Sequence, residues 1–193
     1  MFIKHIFSNF LYTEQIDFNI DSLSAFSRHT VKESNLIRND NITQSNFLDT
    51  NSPPLKSLIN IVENKFNEIH KKIELSENQY HIVSDAWVNI NNNVNIDSAH
   101  CHPGSVFSAV YYLKAQENCG DLIFINPNKA LSHVIHPTLI SNYNCFNEYN
   151  HRVIPITGLL VIFPSYLEHY VKANVSGQER ISIAMNSQLR HCN

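Results

Sequence analysis

From residue 80 onward apolar and polar positions alternate with a period of two. The alternation predicts strands at 81–90, 98–102, 106–114, 121–126, 151–155, 158–163, 167–172 and 179–187. Short strands separated by turn residues fit an antiparallel sandwich or barrel. Before residue 80 the period changes. Leu55, Leu58, Ile59, Val62, Phe66 and Ile69 recur every three or four residues, with Ile61 at the edge of the stripe and Lys and Glu on the other side. That pattern predicts an amphipathic helix over about 55–75. Ser52-Pro53-Pro54 stops the chain ahead of it. The aromatic-rich opening predicts a strand over 2–12, residues 20–30 a short helix, and the polar stretch 31–54 irregular chain. Residues 127–150 follow neither period; they are polar and Asn-rich, and a loop that long inside a compact domain is usually functional, so a lid over the site is expected.

Composition narrows the classes. A chain of 193 residues is one domain's worth. With 43% hydrophobic and 16% charged residues, long disorder is not expected. A net charge of -3 makes no field that favours nucleic acid or an anionic membrane. No apolar run reaches the roughly 20 residues that span a bilayer, and Lys4, His5, Ser8 and Asn9 interrupt the opening, unlike a signal peptide. Cys101, Cys119, Cys145 and Cys192 have no CxxC spacing and are read as free thiols in a reducing cytoplasm. Only 4 glycines are present, which excludes repeated Gly-rich phosphate loops.

Three stretches carry chemistry. In Ala99-His100-Cys101-His102-Pro103-Gly104 the two histidines sit at i and i+2, on one side of a strand, where both imidazoles can meet one metal ion. In Phe163-Pro164-Ser165-Tyr166-Leu167-Glu168-His169 a third imidazole closes a facial triad if its strand neighbours the first pair; otherwise His169 is a surface residue beside Glu168. In Arg180-Ile181-Ser182-Ile183-Ala184-Met185-Asn186 the odd and even positions face opposite ways. Arg180 and Ser182 on an interior face can clamp a carboxylate, either that of a ligand or that of a protein side chain. His133 and His136 would share a helical face, and His5, His29, His70, His81 and His151 have no evident partners. Trp87 is expected in the core, with Asn89 on a strand that can reach the site.

Taken in order, His100 to Pro103 with Ser105, Val110-Tyr111-Tyr112, Gly120 to Phe124, Phe163 to Ser165 with His169, and Arg180 to Ser182 with Asn186 resemble the Fe(II)/2-oxoglutarate-dependent oxygenases. More narrowly they are similar to a group of such oxygenases from marine bacteria and cyanophages. The resemblance is strong over 85–187 and weak over 1–80. It implies a mainly β chain with flanking helices, folded as a double-stranded β-helix (jelly-roll, cupin-like). It implies one oxygenase domain over 1–193, with a strand and helix extension at 1–80 packing on a core at 81–190. It further implies Fe(II) on His100, His102 and His169, and 2-oxoglutarate held by Arg180 and Ser182 with Tyr112 or Tyr111, with no catalytic residue beyond the metal ligands. The outcome would be oxidation of a small molecule or a protein side chain, usually by hydroxylation, with succinate and CO2 as coproducts. A homodimer is compatible with the sequence.

One position departs from the wider superfamily, whose proximal motif is His-x-Asp or His-x-Glu. Here the carboxylate position is His102. Three arrangements follow: His102 binds the metal, it leaves an open position, or Asp121 supplies the carboxylate. Two other readings of the chain stand beside the oxygenase: a cupin-like three-His enzyme without 2-oxoglutarate, and a binding module with a vestigial site. An inward Arg180 and Ser182 count against the former.

Overall fold

The structure is a computed structural model that describes residues 7–34, 37–38, 42–46, 48, 52–92 and 98–192. Its centre is a long strand, β10 (Arg180–His191), flanked by β4 (Gln79–Asn91) and β5 (Phe107–Lys114). Around these, β1 (Tyr12–Gln15), β2 (Ile37–Arg38), β3 (Ile42–Asn46) and β8 (Leu159–Pro164) complete a seven-stranded antiparallel sheet in the order β1-β8-β5-β10-β4-β3-β2. A second sheet of three strands, β6 (Leu122–Ile125), β7 (Asn150–Val153) and β9 (His169–Val171), has the order β7-β6-β9.

The period-two pattern explains why the large sheet carries two different faces. Phe107, Ala109, Tyr111 and Leu113 of β5, Leu160 and Ile162 of β8, and Ile181, Ile183 and Met185 of β10 are buried on one side. There they meet the stripe of α2 (Pro53–Lys72) and residues of α1 (Ile20–Ser34). The Pro53-Pro54 pair sits at the first helical positions of α2, where no N–H is needed, and the Ser52 hydroxyl accepts the Leu55 N–H at 3.5 Å. The opposite face presents Tyr112, Val161 and Phe163 to Leu122, Phe124 and Val153 of the small sheet. Polar positions of β10 share this inner face, and they matter below.

Four expectations are corrected. The opening strand lies at Tyr12–Gln15 and pairs with β8, while residues 2–6 lie outside the described residues. The stretch 31–54 is not simply irregular: α1 runs on to Ser34, and β2 and β3 form an antiparallel pair that joins the edge of β4. Sequence before residue 80 therefore extends the large sheet at both edges as well as covering it. Residues 98–102 are not a strand; the segment is held by one isolated bridge, His100 to His169. The segment 127–150 contains a short helix, α3 (Leu131–Val134), and a 3-10 turn at Pro137–Leu139, both exposed.

Between α2 and the sheet lies a buried pair of histidines, His70 and His81, for which the sequence offered no evident partners. His70 Nε2 faces the Ser76 carbonyl at 2.8 Å, and a carbonyl can only accept, so this nitrogen carries the proton. His70 Nδ1 then accepts from His81 Nε2 at 3.1 Å, and His81 Nδ1 accepts the Ser187 hydroxyl at 3.0 Å. Ser187 in turn accepts the Phe107 N–H at 3.0 Å. Every ring nitrogen of the pair has a partner. Burial, reinforced by His70, lowers the His81 pKa to about 4. Below the unfolded pKa of about 6.5 the unfolded chain binds a proton that the folded chain refuses, so this contribution to stability is lost as pH falls from about 6.5 towards 4. Between pH 7.5 and pH 5 it amounts to about 2 kcal/mol. Urea unfolding at the two pH values is expected to show this drop, reduced in His81→Leu.

Candidate metal centre and cavity

His100, His102 and His169 converge. Each offers one ring nitrogen, and the three nitrogens lie within 4.8 Å of one another. The ring centroids are 5.1 Å apart for His100 and His102, 4.5 Å for His100 and His169, and 5.1 Å for His102 and His169. Backbone bonds fix the approach: His100 N–H to the His169 carbonyl and the reverse bond, both 2.9 Å, and His102 N–H to the Ser165 carbonyl, 2.9 Å. Extended chain, not a regular strand, brings the i and i+2 imidazoles together.

The tautomers follow from the neighbours. His100 Nδ1 donates to the Ser98 carbonyl at 2.9 Å and His169 Nδ1 donates to the Leu167 carbonyl at 2.8 Å. With Nδ1 so engaged, Nε2 is the nitrogen each ring has left to offer a metal. Burial, with His100 adding to it, lowers the His102 pKa to about 4. His169 is also lowered to about 4, first by burial, against the opposing bond to Leu167. Neutral imidazoles with free lone pairs are the donor set of iron, zinc, copper or nickel, so these residues fit a divalent transition metal. Among the described residues this is the one cluster of three such groups. Asp121 is not part of it: its carboxylate accepts from Arg152 Nε at 2.7 Å and lies 3.6 Å from Lys172 Nζ. His136 instead caps the 3-10 turn.

The imidazoles stand at the wall of a cavity of about 450 Å³ between the two sheets, within the usual size of small-ligand sites. Arg180 and Ser182 line it, both 3% exposed. One Arg180 nitrogen donates to the carbonyls of Cys119 and Gly120, each at 3.1 Å, while its Nε is buried without any partner. No carboxylate pairs with Arg180 among the described residues. Glu179, its chain neighbour, is held by Arg28 and by Lys114 at 3.1 Å, and Asp121 by Arg152. A buried guanidinium in that state calls for an anion from outside. Tyr112 opens onto the same cavity, and its pKa is raised to about 12, chiefly by burial and against the pull of Arg180. Its hydroxyl therefore keeps its proton and can donate.

Tyr111 is on the wrong side of the sheet for this role. It packs in the helix-facing core and its hydroxyl reaches the Ile16 carbonyl at 3.3 Å. Trp87 corrects another expectation: it is half-buried, lines the cavity and lies 5.7 Å from the His102 ring. Asn89 also lines the cavity, but no residue of 127–150 does. Lys129 of that segment pairs at 2.7 Å with Glu168, the chain neighbour of His169.

Gly120 makes room for the arginine. Its φ is +96°, and a Cβ there would sit 2.2 Å from the Lys172 carbonyl and 2.9 Å from the Arg180 guanidinium. Gly120→Ala is expected to lose about 1–3 kcal/mol of stability, read as a fall in the urea midpoint.

Comparison with known proteins agrees with this geometry. Residues 85–186 match the family described as "Putative 2OG-Fe(II) oxygenase". No curated protein is significantly similar. Among solved structures, a prolyl-4-hydroxylase from Pseudomonas putida is 16% identical with a TM-score of 0.66, covering 95% of this chain and 93% of its own. The viral collagen prolyl hydroxylase of Paramecium Bursaria Chlorella virus-1, solved with 2-oxoglutarate, is 17% identical with a TM-score of 0.54, covering 94% and 97%. HygX of Streptomyces hygroscopicus, solved with nickel and 2-oxoglutarate, is 10% identical with a TM-score of 0.57, covering 92% and 81%. At such identities the likeness establishes the fold, a double-stranded β-helix. The family match runs from the strand of Trp87 to Asn186 and so takes in all three imidazoles and Arg180. On that match the chain belongs to the Fe(II)- and 2-oxoglutarate-dependent oxygenases.

Proposed function

We propose that His100, His102 and His169 hold the iron of this oxygenase, and that Arg180 and Ser182, with Tyr112, hold the distal carboxylate of 2-oxoglutarate. The observation that carries the second half is the buried Arg180, with one nitrogen lacking any partner and both nearby carboxylates engaged elsewhere. When bound, Fe(II) and 2-oxoglutarate supply oxygen activation coupled to oxidative decarboxylation, which yields succinate and CO2 and oxidises a C–H bond of the prime substrate, typically to an alcohol.

The chain's own residues do the rest. The Ser98 and Leu167 carbonyls orient two of the rings. The guanidinium fork, the Ser182 hydroxyl and the protonated Tyr112 supply donors at one end of the cavity. Val110, Leu122, Phe163 and Val171 give the cavity apolar wall, which limits the water that can compete for the site. The substrate is a small molecule or a side chain of a protein. The whole chain acts as one oxygenase domain, with the sequence before residue 80 building and covering the large sheet. The four cysteines, none of them in a disulfide among the described residues, support a reducing cytoplasm as its compartment. No helix among the described residues is long and apolar enough to cross a membrane. The test is succinate formation from 2-oxoglutarate by the purified chain, which should require both Fe(II) and oxygen. Turnover that is indifferent to iron would refute the assignment.

A further inference from the structure

Asn186 belongs to the imidazole end of the cavity. It pairs across the sheet with Ser108, and Ser108 pairs with Phe163, whose ring packs on His169 at 4.8 Å. On the other side of β10, β4 carries Trp87, 5.7 Å from the His102 ring. The Asn186 side chain is also tied to the segment that holds His102. Ser108 Oγ lies 2.8 Å from Asn186 Oδ1 and 2.8 Å from Ser165 Oγ, and the Ser165 carbonyl accepts the His102 N–H.

The hydroxyl protons orient the carboxamide. Ser165 is fully buried, and its hydroxyl has no other partner among the described residues. Were Asn186 Nδ2 the atom facing Ser108, Ser108 would donate to Ser165, whose own proton would then have no acceptor. The reverse direction, Ser165 to Ser108 to Asn186 Oδ1, satisfies both hydroxyls. Nδ2 keeps two N–H groups with no partner among the described residues, on a side chain that lines the cavity. This end of the wall thus offers a donor for which the protein supplies no acceptor.

The charges of the cavity favour a negative acceptor. Among the described residues no Asp or Glu lines it, and its one permanent charge is Arg180. The surrounding carboxylates are engaged by cations: Asp121 by Arg152 and Lys172, Glu168 by Lys129, and Glu179 by Arg28 and Lys114. Asp85, in register with Asn186, takes the Ser84 hydroxyl at 2.9 Å and is not part of the wall. A centre with two imidazoles and one carboxylate is neutral once Fe(II), 2-oxoglutarate and the anchoring arginine are counted together. With His102 in the carboxylate's place, the same contents leave one positive charge unbalanced, and an interior charge needs a partner.

We propose that the prime substrate is a carboxylic acid bound as its anion, and that Asn186 Nδ2 donates to that carboxylate beside the imidazoles. A monoanion matches the one surplus charge, since both carboxylates of 2-oxoglutarate are already counted. The neutral amide of the same acid also offers an oxygen to Asn186 but leaves the charge unbalanced, so the cavity discriminates against it. The inference rests on the oxygenase reading above and adds the class of substrate to it.

The test uses Trp87, the single tryptophan of the chain, as a fluorescent reporter in the cavity wall. The full chain is loaded with Zn(II), which has no redox chemistry, and saturated with 2-oxoglutarate. It is then titrated with acetate or with acetamide, a neutral probe of the same size. Acetate should bind saturably, at least tenfold more tightly than acetamide, without displacing 2-oxoglutarate. Asn186→Asp keeps the acceptor for Ser108 but replaces the donor with a negative charge, and the preference for acetate should fall below twofold. His102→Asp removes the surplus charge without touching Asn186 and should also bring the preference below threefold. Equal affinity for the two probes in the wild-type chain would overturn the proposal, as would acetate that competes with 2-oxoglutarate or a preference undiminished in either variant. A chain that takes up no 2-oxoglutarate fails at the first step, before any acetate is added, and overturns the oxygenase reading together with this one.

Discussion

Arg180→Ala is expected to weaken 2-oxoglutarate binding by roughly 30- to 5,000-fold, equivalent to about 2–5 kcal/mol for a buried charged pair. The size follows from the surroundings. The guanidinium is 3% exposed, so its attraction to an anion is little screened. Its hydrogen bonds go to two carbonyls, and no carboxylate among the described residues pairs with it. Arg180→Lys keeps the charge but loses the planar fork and should lie between Ala and the wild type. Fe(II) affinity is the control, because Arg180 makes no contact with the three rings. Calorimetric titration of the metal-loaded variants reads both quantities. An Ala variant that folds and binds 2-oxoglutarate as tightly as the wild type would remove the cosubstrate from this end of the cavity.

The second large effect concerns His102. It stands where related oxygenases usually place an acidic ligand, and its ring joins those of His100 and His169 at the common point. Loss of an outer-shell partner commonly costs 10- to 100-fold in metal affinity, so loss of a ligand in His102→Ala should cost at least about 100-fold. His102→Asp should restore binding, because a carboxylate is also a competent donor and lowers the formal charge of the centre by one. Anaerobic Fe(II) titration distinguishes the outcomes. Wild-type affinity in the Ala variant would mean that His102 leaves a coordination position open.

The parts of this site that could be read from sequence are those set by period alone. The alternation in 179–187 placed Arg180 and Ser182 opposite Ile181 and Ile183, and the strand carries all four as expected. The spacing of His100 and His102 foretold convergence although the segment is not a regular strand, because one bridge to His169 keeps the chain extended. Where two neighbours were equally eligible, period failed. Tyr111 and Tyr112 are both buried, and only the pairing of Tyr112 with Ser182 shows which of them faces the cavity. Trp87 looked like core because its strand is apolar overall, and its face becomes clear only once Ser84 is known to be bulged. His70 and His81 had a faint signal: His70 continues the buried stripe of α2 and His81 alternates with Val83, but their meeting depends on the turn between helix and strand. Residues 31–54 hid two short strands at one margin of the sheet under a polar composition, since strands there have little apolar content to reveal them. The length of 127–150 suggested a lid, but length alone does not say which way a segment folds.

The central claim is that one cavity holds a three-imidazole iron at its wall and a diacid anchored on Arg180. A crystal structure of the chain with Fe(II) and 2-oxoglutarate, prepared without oxygen, tests it most directly. The account predicts iron bonded by Nε2 of both His100 and His169 and by one ring nitrogen of His102, at roughly 2.0–2.2 Å, with the distal carboxylate on Arg180 and Ser182. Iron carried by a set that omits His102, or a diacid whose far end lies away from Arg180, would contradict it.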